Sequence, residues 1–308
     1  MTYDVIIIGS GPAGLSAGLY AARAKMKTLI IEKERAGGQI VTTHDVANYP
    51  GAPVGTTGPS LTERMVEQVE QFGAERLTAE VLEVELEGQV KRLVTSEGAF
   101  EAKSIIIATG AHPRKLGLEN EEKFIGRGIS YCATCDADFF SGLPVLVIGG
   151  GDTAIEEALF LTKFASEVTI VHRRDEFRAA KSYVEKAMNH PKIKTIMNAS
   201  VKEIVGDKRL EKVILENTKT GEIFDYEPEG GFFGIFVFVG YIPNTNIFGS
   251  QLNFDKSGYI LTDELMKTDL KGVFAAGDVR SKTLRQVVTA TSDGAIAAVE
   301  AEKHVDHQ

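Results

Sequence analysis

Cys132 and Cys135 are the only two cysteines of the 308-residue chain, and they stand in the run C-A-T-C-D that ends at Asp136. Two thiols spaced in this way can close a reversible disulfide. If the local electrostatics lower one thiol pKa, the resulting thiolate attacks another disulfide. Half a zinc site is the alternative. Structural zinc takes four Cys or His ligands, and neither a further cysteine nor a His cluster stands beside this pair, so no metal is expected. A pair of plain core cysteines fits poorly, because Asp136 and Asp138 follow at once and an unpaired carboxylate is costly to bury.

A dithiol of this kind needs a source of electrons, and the chain carries two dinucleotide patterns. Tyr3 to Gly9, with its apolar run Val5 to Ile8, suits a buried parallel strand, and it ends in Gly9-Ser10-Gly11-Pro12-Ala13-Gly14. In G-x-G-x-x-G the first glycine permits a tight turn, the second lets backbone approach a pyrophosphate, and the third allows close helix packing. The next strand, Lys27 to Ile31, ends at Glu32, whose carboxylate suits a ribose hydroxyl. The pattern recurs after Val145 to Ile148 as Gly149-Gly150-Gly151-Asp152-Thr153-Ala154, opening an apolar helix from Ile155 to Phe164. Here the following strand, Val168 to Val171, ends in His172-Arg173-Arg174, with Arg178 one turn on. Guanidinium groups suit the 2′-phosphate of NADP where an acid would repel it; the alternative is a solvated basic helix start.

These elements must be placed by a larger frame. Ile105 to Gly110, closing on Thr109-Gly110, and Val273 to Asp278, closing on Gly277-Asp278, are apolar strands ending in small-residue turns, and Asp278 is placed for a flavin ribityl hydroxyl. The expected fold is α/β with two Rossmann-like dinucleotide-binding domains, the second inserted into the first. Residues 1–112 and 244–308 form the first, and 113–243 the second, which carries the dithiol; Gly110 to Pro113 and Gly240 to Asn244 are the linkers. Leu77 to Leu86 and Val201 to Glu216 read as additional sheet, Leu61 to Phe72 as a solvated helix, and the tail from Glu300 as a segment that frays.

Lys plus Arg is 34 against 43 for Asp plus Glu, a formal charge of -9, which argues against a general affinity for nucleic acid or anionic membrane. The start M-T-Y-D-V-I-I-I-G has no charged leader, and its apolar run is too short for a bilayer. A soluble cytoplasmic protein is expected.

Taken together, G-S-G-P-A-G at Gly9, G-G-Q at Gly37, N-Y-P-G at Asn48, C-A-T-C-D at Cys132, G-G-G-D-T-A at Gly149, H-R-R-D-E-F-R-A at His172, F-V-G-Y-I-P-N-T at Phe238 and A-G-D-V-R then L-R-Q-V-V-T-A from Ala276 resemble the low-molecular-weight bacterial thioredoxin reductases nearly end to end. The resemblance implies FAD in the first domain, NADPH in the second, a homodimer, and thioredoxin as the partner whose disulfide is reduced. It implies Cys135 nearest the flavin, Cys132 as the attacking thiol and Asp136 as proton donor or acceptor. On the same motifs, further cofactor contacts are expected from Gly38, Gln39, Asn48, Thr109, Gly110, Gly277, Arg285 and Gln286.

Two departures stand out. The stretch Asp225 to Gly234 is longer and more acidic than expected, and Tyr131, directly before Cys132, is placed to affect partner docking. Rival readings are a flavin disulfide reductase serving a peroxidase or another small dithiol protein, a diaphorase serving ferredoxin, and a non-catalytic redox sensor.

Overall fold

The computed structural model describes residues 2–43, 46, 48–228 and 231–307. The chain divides into two compact units, Met1–His112 with Ile242–Gln308, and Pro113–Tyr241.

In the first unit, β1 (Thr2–Ile8), α1 (Pro12–Arg23) and β2 (Thr28–Glu32) form the first turn of a parallel sheet, with Val5 opposite Thr28 and Ile8 opposite Ile31. Successive side chains of a strand point to opposite faces. Accordingly Val5 and Ile7 pack with Leu15 and Ala17 of α1, while Ile6 and Ile8 face Leu93 and Ile260 in a separate core. A strand buried on both faces reads as an unbroken apolar run. After α2 (Gly58–Gln71) come β3 (Glu75–Thr78), β4 (Val81–Glu85), β5 (Lys91–Thr95) and β6 (Gly98–Ile107), and the sheet order is β3-β2-β1-β6-β5-β4. Helix α2 starts at a capping box between Thr57 and Ser60, which fixes an N-terminus three residues ahead of Leu61, and Leu61 and Val69 are buried rather than solvated. The chain leaves through β7 (Ala111–Pro113).

The second unit opens with α3 (Glu121–Phe124), β8 (Ile129–Ser130) and α4 (Ala133–Asp136). Its sheet is built on β9 (Pro144–Gly149), followed by α5 (Asp152–Leu161), β10 (Glu167–His172), α6 (Lys181–Met188) and β11 (Ile193–Met197). A three-stranded antiparallel sheet of β12 (Ala199–Gly206), β13 (Leu210–Asn217) and β14 (Ile223–Tyr226) interrupts it before β15 (Gly234–Phe238). The parallel order is β11-β10-β9-β15-β8. Within the acidic stretch 225–234, Glu229 and Gly230 lie outside the described residues.

The chain returns through β16 (Tyr241–Pro243), which pairs with β7, and then adds β17 (Val273–Ala275) and α7 (Val287–Asp306) to the first unit. Strand β17 lies parallel to the second half of β6, Val273 opposite Ile105, whereas the first half of β6 pairs antiparallel with β5. Helix α7 crosses α1 closely: a Cβ on Gly294 would lie 2.1 Å from the Ala13 carbonyl oxygen. The expectation of a fraying tail is corrected, since α7 continues to Asp306 and is anchored by buried Glu300, which pairs with Lys267 at 2.7 Å and Lys303 at 2.6 Å. Among the described residues no helix is long and apolar enough to cross a membrane.

Candidate redox and nucleotide sites

Cys132 and Cys135 form a disulfide, with Cα atoms 5.3 Å apart. Cys132 is the N-cap of α4 and Cys135 lies within it, so one turn of helix brings the two sulfurs together. That turn is held by small residues: Ala133 and Ala137 are buried with Ala154, Ile155 and Ala158 of α5, while Thr134 is exposed. Ser130, at the end of β8, sets the approach. Its hydroxyl accepts from the Cys132 amide at 3.0 Å and donates to Asp136 Oδ2 at 2.6 Å. Sequence reasoning missed Ser130, because nothing in the spacing from Ser130 to Asp136 marks a contact between them.

Tyr131, directly before Cys132, has its phenol engaged within its own unit. The hydroxyl donates to the buried Glu121 carboxylate, which also accepts from the amides of Leu116 at 2.7 Å and Gly117 at 2.8 Å. Burial, reinforced by Glu121, pushes the phenol pKa well above its ordinary value. The Tyr131 carbonyl accepts from the Tyr241 hydroxyl at 2.9 Å, so the residue before Cys132 is tied at both ends.

The first glycine loop has the shape of a phosphate cradle. Gly9 has φ +105°, and a Cβ there would lie 2.4 Å from the Ala108 oxygen; a Cβ on Gly14 would lie 1.9 Å from the Gly9 oxygen. Around Gly11, by contrast, a Cβ would meet nothing closer than 3.9 Å. Two glycines therefore allow backbone to close up, and the middle one leaves the surface open. Gly11 caps α1 without a side-chain hydrogen bond, and Pro12 and Ala13 open the helix, so its first amides face that space. The Glu32 carboxylate reaches the same loop, accepting from the Ser10 amide at 2.9 Å and the Ser10 hydroxyl at 3.2 Å. Gly38 lies against Gly11, and the Gly37 amide donates to Ser10, which brings Gly38 and Gln39 to the loop.

Asp278 follows β17 beside Gly277, and its Oδ1 is buried with no hydrogen-bond partner among the described residues. Burial pushes its pKa up. Arg285 stacks over Tyr259 at 4.0 Å with a buried Nε that is equally unpartnered. A buried acceptor and a buried donor left open beside a glycine cradle are what a polyhydroxylated, phosphate-bearing ligand would satisfy, and the residues fit a flavin dinucleotide. Asn48 and Gln286, far apart in sequence, meet through a 3.0 Å hydrogen bond. Thr109 is placed differently: its hydroxyl donates to the Asn244 carbonyl at 2.8 Å, and the Gly110 carbonyl accepts from the Asn244 amide, so both residues secure the returning chain.

The second glycine loop is built on the same plan, with one added support. Gly149 lies under the Phe238 carbonyl, Ala154 is buried below it, and a Cβ on Gly150 would fall 2.2 Å from the His172 ring. Gly151 caps α5 with open space around it and no side-chain cap, so the amides of Asp152 and Thr153 face outward. His172 is buried, its Nε2 donates to the Glu176 carbonyl at 3.0 Å, and burial lowers its pKa. It supports the loop from below, and the charges of Arg178 and Arg174 add to the lowering. Arg173, Arg174 and Arg178 are exposed, and among the described residues none makes an ion pair or a side-chain hydrogen bond. They lie on an irregular segment and α6 begins only at Lys181, so they are no helix start. The Arg178 amide donates to the Gly150 carbonyl at 2.7 Å and the Ala180 amide to Asp152 Oδ1 at 2.7 Å, which fixes this segment beside the glycine loop. The residues fit a nucleotide bearing an extra phosphate. No group of three or more metal-ligating side chains occurs among the described residues.

The chain belongs to the pyridine nucleotide-disulphide oxidoreductase family, whose model matches residues 3–294. Two curated relatives and one solved structure place it more narrowly. It is 56% identical over 306 residues to a thioredoxin reductase of Peptoclostridium acidaminophilum, covering 99% of this chain and 97% of that one. It is 47% identical over 305 residues to a thioredoxin reductase of Listeria innocua, covering 99% and 94%. The crystal structure of thioredoxin reductase from Streptococcus pyogenes is 44% identical, covers 100% of this chain and 99% of that one, and superposes with a TM-score of 0.91.

Proposed function

We propose that this chain is an NADPH-dependent thioredoxin reductase with FAD in the first unit and NADPH in the second. The observation that carries the reading is the Cys132–Cys135 disulfide, formed by the only cysteines and mounted on a unit that also holds a dinucleotide loop. Gly9, Ser10, Gly11, Pro12, Ala13 and Gly14 would hold the flavin pyrophosphate, Glu32 a ribose and Asp278 the ribityl chain, with Gly38, Gln39, Asn48, Thr109, Gly110, Gly277, Arg285 and Gln286 around them. Gly149, Gly151, Asp152, Thr153 and Ala154 would hold NADPH above the His172 support, and Arg173, Arg174 and Arg178 its 2′-phosphate. When bound, the two cofactors supply the electron pair that reduces the disulfide.

The chain's own residues do the rest. The Cys132 thiolate attacks a thioredoxin disulfide, forming one intermolecular S–S bond as the thioredoxin bond breaks. Cys135 then attacks Cys132 Sγ, restoring the Cys132–Cys135 disulfide and releasing reduced thioredoxin. Asp136, held by Ser130, gives or takes the accompanying proton. A cytoplasmic homodimer completes the reading.

The test is turnover of thioredoxin with NADPH and added FAD, set against turnover of a peroxidase disulfide or of ferredoxin. NADPH-driven reduction of thioredoxin supports the reading. Flavin reduction without any thioredoxin turnover would overturn it.

A further inference from the structure

The three arginines have no anchor of their own, yet the segment that carries them is held from one side by a turn the nucleotide site does not include. The Thr218 hydroxyl donates to the Arg173 carbonyl at 2.9 Å, and the Thr218 amide donates to the Asn198 carbonyl at 2.7 Å. The Asn198 amide in turn donates to the Arg174 carbonyl at 3.1 Å. One residue on, Lys219 pairs with Asp175 at 2.9 Å, neutralising a carboxylate that follows the two arginines directly. The turn is itself stiff: Asn217 Oδ1 accepts from the amides of Lys219 at 2.9 Å and Thr220 at 3.1 Å, and the Asn217 and Gly221 backbones close it between β13 and β14. On the opposite side the segment is tied to the glycine loop through Arg178 and Gly150.

We infer that Thr218 and Lys219, on the β13–β14 turn, are positioning residues for coenzyme choice: they hold the Arg173–Arg178 segment in the conformation that receives a 2′-phosphate. This rests on the proposed role of the arginines. A planar guanidinium rewards fixed geometry, since its hydrogen bonds to phosphate form only when its fork is aligned. A backbone tether two bonds from Arg173 Cα limits where that fork points, and a neutralised Asp175 removes a repulsion from the incoming phosphate. Nothing in this arrangement favours a nucleotide that lacks the phosphate.

The test is calorimetric binding of 2′,5′-ADP and of 5′-AMP to the full-length protein. Thr218→Val with Lys219→Gln should weaken 2′,5′-ADP roughly three- to tenfold, the scale of one or two lost hydrogen bonds, and leave 5′-AMP unchanged. Thr218→Ser with Lys219 intact, which keeps the hydroxyl, should bind both ligands as the parent does. Unaltered 2′,5′-ADP binding in the double variant, alongside lost binding when the three arginines become glutamine, would overturn the inference while leaving the arginine assignment standing. Equal weakening of both ligands would overturn it too, by showing general collapse of the site. An arginine triple variant that binds 2′,5′-ADP like the parent would overturn the arginine assignment, and this inference with it.

Discussion

Ser130 and Asp136 are joined by a 2.6 Å hydrogen bond, and the same Ser130 oxygen receives the Cys132 amide. One hydroxyl therefore sets both the carboxyl proposed to manage the proton and the backbone of the attacking sulfur. Ser130→Ala should slow thioredoxin reduction by about tenfold, the scale of a lost hydrogen bond to a charged group. Reduction of the flavin by NADPH should be unaffected. Rapid-mixing measurements separate the two steps, and an unaltered thiol-exchange rate would remove Ser130 from the mechanism.

Cys132 and Cys135 should fail in different ways. Cys132→Ser should abolish thioredoxin turnover. Cys135→Ser leaves the attacking thiol but removes the resolving one, so it should accumulate a mixed disulfide with thioredoxin that non-reducing electrophoresis detects. A stable adduct formed by Cys132→Ser instead would reverse the two roles.

Coenzyme preference should reside in Arg173, Arg174 and Arg178. Each charge-assisted hydrogen bond to the phosphate is worth about 1.5–3 kcal/mol, so losing one arginine should raise the NADPH KM by roughly tenfold or more, with little effect on NADH. Added salt should narrow the parent's preference by screening these exposed charges. A triple neutral variant with undiminished selectivity would assign the preference elsewhere.

Glu157 gives a pH dependence unrelated to the chemistry. Its Oε2 is buried on α5 without a hydrogen-bond partner among the described residues, and burial, helped by neighbouring Glu156, pushes its pKa up to about 7. A carboxyl whose pKa is raised by folding favours the folded state fully only below the pKa of the unfolded chain. That contribution is lost as pH rises through about 7. Glu157→Gln should thus be stabilising by about 1–3 kcal/mol at pH 8 and nearly neutral at pH 4.5, read from denaturant melts at both pH values. A constant difference across that range would mean that Glu157 ionises normally.

The parts legible in the sequence were those where chemistry and local backbone coincide. Gly9, Gly11 and Gly14 announce a strand, a turn and a helix together, and the apolar runs Val5–Ile8 of β1 and Val145–Ile148 of β9 declare strands buried on both faces. Contacts between distant segments were not legible: nothing local relates Thr218 to Arg173, Tyr131 to Glu121, or Lys267 to Glu300. The surroundings of His172 were hidden for a similar reason. Its neighbours in sequence are exposed cations, and only the packing against Gly150 shows that it is buried.

Strand β6 has a split allegiance, its first half bonded to β5 and its second half to β17. During synthesis Ile105, Ile106 and Ile107 therefore emerge long before Val273–Ala275, the strand that covers their edge. In the interval the nascent first unit presents an apolar strand with unpaired amides and carbonyls, a template for joining another chain. The inserted unit, contiguous from Pro113 to Tyr241, can close on itself first. The edge of Ile105–Ile107 can thus be covered only after the whole inserted unit has been made.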